Sequence, residues 1–237
     1  MFRTLIVLAL GVLLWHPAAA QTHVGTVSFN GRSVPLPPGE WRQVATTTTT
    51  RQLAGGGGVG GRNAQLALLR VASGRVTGLV TIETSVSVSD NMAGWTREPE
   101  CQRNDIHAVV VESDVQRDQN CWTLNHVVMT RGPNASEFIN TYYAAAAAAG
   151  GMPPTMLRAT SRRSDNLHFV TVRYHFAPDH ARFAPATEGW RENPWHRDRL
   201  DASRGAYVAA LRTWAPIAHA EVVRGFRGGT VTPLAEP

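Results

Sequence analysis

Strict alternation of apolar and polar residues recurs along the chain from Val24 to Phe176 and predicts strands over most of that length. Val24 to Phe29 and Ser33 to Leu36 flank Asn30-Gly31, a dipeptide suited to a tight hairpin turn. A strand carrying Trp41 is extended by the threonine run Thr46 to Thr50, whose β-branched side chains favour extended backbone. Asn63 to Ala72 and Arg75 to Val88 form the next pair, divided by Ser73-Gly74. Ile106 to Glu112 and Cys121 to Thr130 read as neighbouring strands, and Met156 to Arg162 with Leu167 to Phe176 as a further hairpin. Alternation puts Trp122, Leu124, His126 and Val128 on one face, and Cys121, Thr123, Asn125, Val127 and Met129 on the other. In the last strand His168, Val170, Val172, Tyr174 and Phe176 oppose Phe169, Thr171, Arg173 and His175.

Helical spacing appears twice. Asn134 as N-cap with Glu137 three residues on predicts a helix through Phe138, Tyr142 and the alanine run, ended by Gly150-Gly151. A second helix starts near Asp198 or Asp201, aligns Leu200, Tyr207, Leu211, Trp214 and Ala218, kinks at Pro216 and stops before Gly225. Between them, Trp190 and Trp195 pin a long loop to the core. The order of elements predicts an α+β domain, an antiparallel β-sheet with two main helices packed on one face and one disulfide. Residues 21–237 form one domain, with a flexible glycine-rich loop at 54–62 and a frayed tail at 228–237.

The N-terminus changes the picture from a fold to a compartment. Met1-Phe2-Arg3 is a positive opening, Thr4 to Trp15 an apolar core, and Ala18-Ala19-Ala20 a small-residue cleavage site, together a signal peptide over 1–20. The apolar run breaks at His16-Pro17 and is too short for a membrane anchor, and no later segment is apolar enough to span. A periplasmic or secreted protein is expected. All 23 basic residues are arginine against 18 acids, and cleavage removes Arg3, lowering the formal charge of +5 by one. With so diffuse a surplus no nucleic-acid partner is expected, and weak contact with anionic envelope components is allowed.

An oxidising compartment makes Cys101 and Cys121, the two cysteines of the chain, a disulfide rather than a redox or zinc motif. Closing such a loop removes roughly 3 kcal/mol of unfolded-state entropy. The run Gly55 to Gly61 contains G-x-G-x-x-G, but it leads into a strand rather than opening a helix, so no dinucleotide or other cofactor is expected. Arg103 and Asp105, near the first cysteine, either pair with each other to orient the loop or reach His126, and the three are the candidates for hydrolase chemistry, since an Asp-His couple is the raw material of a general base. No nucleophile motif accompanies them. His175, Asp179 and His180 have the most metal-like spacing.

The signal segment, Gly39-Glu40-Trp41, Cys121-Trp122-Thr123-Leu124-Asn125-His126 and the ending Tyr207 to Gly228 together resemble a family of uncharacterised secreted bacterial proteins, a domain of unknown function. That resemblance implies no activity. The sequence therefore points to an exported, non-catalytic binding or envelope-interaction domain, with a hydrolase using His126, Asp105 and Arg103 as the alternative.

Overall fold

The computed structural model describes residues 21–52, 59–87, 94–115 and 117–237. Residues 1–20, where a signal peptide is expected, and the centre of the glycine-rich loop lie outside the described residues. The strands are β1 (Thr22–His23), β2 (Thr26–Phe29), β3 (Arg32–Pro35), β4 (Trp41–Gln52), β5 (Val59–Ala72), β6 (Arg75–Ser87), β7 (Ala108–Val115), β8 (Asp118–Val128), β9 (Thr155–Ser164) and β10 (Phe169–Phe176). The helices are α1 (Glu137–Ala148) and α2 (Ala202–Phe226), with 3-10 turns at Pro99–Gln102 and Pro178–Ala181.

Eight strands make one antiparallel sheet in the order β1-β4-β5-β6-β10-β9-β8-β7, and β2 and β3 pair separately. Asn30 and Gly31 both adopt positive φ, at 47° and 72°, which is the geometry a two-residue hairpin needs. The architecture is mainly β, and this overturns the α+β expectation of two helices layered on a single face. The reason lies in β5, where consecutive residues are apolar on both faces. Leu66 and Leu68 join the large core beneath α2, whereas Ala67 and Leu69 join a smaller cluster with Ala146 of α1 and Ala149 just past its end. The helices thus occupy opposite faces, and no helical layer forms.

α2 packs Val208, Leu211, Trp214, Ala218 and Val222 against the large core. Trp214 meets Tyr174 and Phe176 edge-on, with ring centroids 5.3 and 5.1 Å away, and each such pair adds about 1 kcal/mol beyond area burial. Trp195 is buried against Phe183 and Tyr207, so the long loop is pinned as expected.

Three local expectations are corrected. Ser136 rather than Asn134 caps α1, its hydroxyl accepting from the Ile139 amide. α2 runs through Gly225 to Phe226. The tail expected to fray is tied down: Leu234 is buried, the Trp214 indole donates to the Ala235 carbonyl at 2.8 Å, and Arg70 forms a two-pronged pair with Glu236.

Gly225 is where α2 touches the β2–β3 hairpin. A Cβ there would lie 1.9 Å from the Ser33 carbonyl oxygen. Alanine normally gains up to about 1 kcal/mol over glycine inside a helix. Gly225→Ala is expected to reverse that sign and lower stability by more than about 2 kcal/mol, read as a shift of the urea midpoint.

Candidate functional site

The sheet face turned away from α2 carries an array of polar side chains where a second core would be expected. Register places them in three cross-strand rows. One runs Gln65, Glu83, Thr171, Arg162, Cys121; the next Thr81, Arg173, Thr160, Thr123; the third Leu79, His175, Arg158, Asn125. Period-two alternation puts all of them on one face because each strand contributes every second residue.

The disulfide joins Cys101 to Cys121 as expected and holds the 3-10 turn against β8. That turn delivers two buried carboxylates to the polar face. Glu100 is paired with Arg158 and also accepts from Thr160 at 2.7 Å, Thr123 at 3.3 Å and Asn125 at 3.4 Å. Burial raises its pKa, yet the Arg158 charge and hydrogen bonds from Arg158, Thr160 and Asn125 outweigh this and bring it down to about 2. Glu98 accepts from Arg173 at 2.7 Å. Arg162 lies 4.2 Å over the Phe169 ring and donates to Thr171 and Gln119.

Three cavities follow one another over this face. One of about 210 Å³ has Thr81, Glu83, Arg173, His175 and Arg158 as floor and Phe138, Ile139 and Tyr142 of α1 as roof. A second, about 250 Å³, shares Glu83 and Arg173 with it and extends to Trp95 and Glu98. A third, about 410 Å³, shares Tyr142, Arg158 and His175 with the first and reaches His126 and Trp190. The result is a polar trough across the sheet.

Of the hydrolase candidates, Arg103 and His126 line the far end of this trough while Asp105 lines a neighbouring cavity beside His196, and Asp105 and His126 are not coupled. Asp105 is bound two-pronged by Arg103 at 2.7 and 2.9 Å, and Arg103 stacks on Trp190 at 4.6 Å. His126 stacks on Trp190 as well, and its Nε2 is bonded to the Trp190 carbonyl at 2.8 Å. Asp105 therefore orients Arg103 rather than His126. The metal candidates are likewise separated, His175 lining the trough while Asp179 and His180 line a different cavity beside Ser73. Among the described residues no group of three His, Cys, Asp or Glu side chains is placed to hold a metal ion.

One constellation was missed by sequence reasoning. Ser161 Oγ lies 2.6 Å from His219 Nδ1, and His219 Nε2 is 3.0 Å from Asn120 Oδ1. It looks like a nucleophile, base and orienting amide. Ser161 is buried beneath α2 and His219 on the inner side of α2 itself, however, and neither lines any of the cavities above, so the contact ties α2 to β8 and β9. No spacing rule would find it, because 58 residues separate the pair.

No family model, curated protein or solved structure matches this chain. Its class is thus set by fold and site, a disulfide-stapled, mainly β domain with a polar trough on its free sheet face.

Burial pulls four histidines down from 6.5: His107, His126 and His219 to about 4 and His175 to about 3. Their unfolded forms take up protons near pH 6.5 while the folded forms do not. Stability is therefore full above pH 6.5 and falls as pH drops toward 4, each histidine contributing up to about 1.4 kcal/mol per pH unit. Urea unfolding at pH 7 and pH 5 is expected to differ by several kcal/mol, and equal midpoints would contradict the buried neutral assignment.

Proposed function

We propose that this is an exported binding protein whose ligand is a small polar molecule held in the trough. The observation that carries the reading is the polar sheet face itself. Three arginines and three glutamates, Arg158, Arg162, Arg173, Glu83, Glu98 and Glu100, stand on or beside strands whose opposite face is a dense apolar core. Replacing buried ion pairs by apolar side chains is often neutral or stabilising, so stability alone gives no reason to keep this array. Open cavities over it give a reason. Convergent polar groups beneath a partly apolar roof are the usual make-up of a small-molecule site.

Binding rather than catalysis is supported by how the imidazoles are held. His175 and His126 are each bonded to a main-chain carbonyl, of Leu79 and Trp190, so neither is oriented by a carboxylate as a general base. Export is supported by the signal segment at 1–20 and by the disulfide, which forms and persists in oxidising compartments.

Two measurements test the reading. Full-length protein expressed in a bacterium is expected outside the cytoplasm with Gln21 as its first residue; an intact Met1 in the cytosol would overturn export. A thermal-shift screen of sugars, carboxylates, phosphates and amines is expected to raise the Tm of the wild type. Thr81→Trp, which fills the floor of the cavity without changing charge, is expected to abolish that rise. Ligands that stabilise both proteins equally would move the site elsewhere.

A further inference from the structure

We infer that the trough takes a small zwitterion, a free amino acid or a short peptide bearing both an ammonium and a carboxylate group. This rests on the binding reading above and names its ligand class. It starts from Glu83, the one acid of the array whose carboxylate has no hydrogen bond or ion pair among the described residues. Glu83 is half-buried and lines two of the cavities. A carboxylate on a cavity wall with no partner among the described residues is free to take a ligand ammonium in a charge-assisted hydrogen bond.

Arg173 faces it. Register pairs Glu83 with Thr171 and Thr81 with Arg173, so Glu83 and Arg173 are diagonal neighbours, roughly 7–8 Å apart at the backbone. They line the same two cavities, yet form no ion pair with each other. Opposite charges thus stand across a gap instead of closing it. Arg173 gives one of its five N–H donors to Glu98. Arg158 gives one to Glu100, and its Nε is buried without a hydrogen-bond partner. The donors left over suit the two oxygens of a carboxylate.

A third group completes the site. A carbonyl can only accept, so the 3.1 Å contact to Leu79 puts the proton of neutral His175 on Nδ1 and leaves Nε2 as an acceptor. His175 stands between Leu79 and Arg158 in the cavity floor. A simple anion would gain the arginine donors but meet Glu83 with like charge. A simple cation would pair with Glu83 but meet Arg173. A molecule carrying both charges satisfies each, while Phe138, Ile139 and Tyr142 above offer apolar contact to its side chain.

Calorimetric titration tests this with L-leucine and L-alanyl-L-alanine as probes, against N-acetyl-L-leucine, L-leucinamide and inorganic phosphate. The two zwitterions are expected to bind, and each blocked or singly charged compound at least tenfold more weakly. Glu83→Gln is expected to weaken L-leucine at least tenfold and to leave N-acetyl-L-leucine as tight or tighter, because the ammonium contact is removed together with the like charge that opposes an anion. Arg173→Gln is expected to weaken L-leucine and to leave L-leucinamide as tight or tighter, because a like charge facing the cation is removed. Arg173→Gln strands buried Glu98 and risks unfolding, whereas Glu83→Gln removes no contact within the protein and decides the question alone. Binding of N-acetyl-L-leucine or phosphate as tight as L-leucine, no binding of either zwitterion, or a neutral Glu83→Gln would overturn the inference. In the first case, blockage by Thr81→Trp would leave the trough standing as an anion site. If Thr81→Trp leaves L-leucine binding intact, the trough reading itself fails.

Discussion

The ionised carboxylate of Glu100 is the contact on which the polar half of the molecule depends. It is buried, and it draws together the 3-10 turn, β8 through Thr123 and Asn125, and β9 through Arg158 and Thr160. Its shift from 4.5 to about 2 corresponds to on the order of 3 kcal/mol in favour of the charged form. The adjacent disulfide makes that possible. Cys101 follows Glu100 directly, so the covalent link to Cys121 brings the carboxylate to the sheet at little further entropic cost. Without an acid there, Arg158 would be left as a poorly solvated charge next to His175.

The two faces of the sheet have been given different work by the same alternation. Toward α2, Val170, Val172, Tyr174 and Phe176 enclose an apolar core sealed by Trp214 and Trp195. Toward α1, the intervening Thr171, Arg173 and His175 remain polar and border open space. α1 is a partial cover because it buries little of itself, chiefly Ala146 and its C-cap Ala149, against the β4–β5 end. A fuller helix would have closed the trough. The apolar face supplies the stability that allows the other face to hold charges whose burial is costly.

Much of the fold was legible in the chain. The hairpins at Asn30-Gly31, Ser73-Gly74 and Ser164 to Asn166 appear where turn residues interrupt alternation, and the division of β10 into Tyr174 and His175 faces follows from period two. The helix count was legible too, but not the layer. Both faces of β5 are apolar, and a pattern of that kind does not say which helix covers which side. The site was legible only in pieces. His126, Arg103 and Asp105 stood out by proximity in sequence, whereas Glu83, Arg158 and Arg173 are ordinary strand charges until β6, β9 and β10 are set side by side.

The sequence by itself determined the pairing of two cysteines, the strand pattern and the identity of the residues on each strand's two faces. These are local or compositional properties, carried by short-range backbone preference and by the count of reactive groups. Tertiary structure alone decided the strand order, the opposite placement of α1 and α2, the docking of the C-terminal tail and the unpaired state of Glu83. Each of those depends on which side chains from distant segments come within a few ångströms. Coulomb and hydrogen-bond energies fall steeply with that separation, and sequence spacing does not encode it.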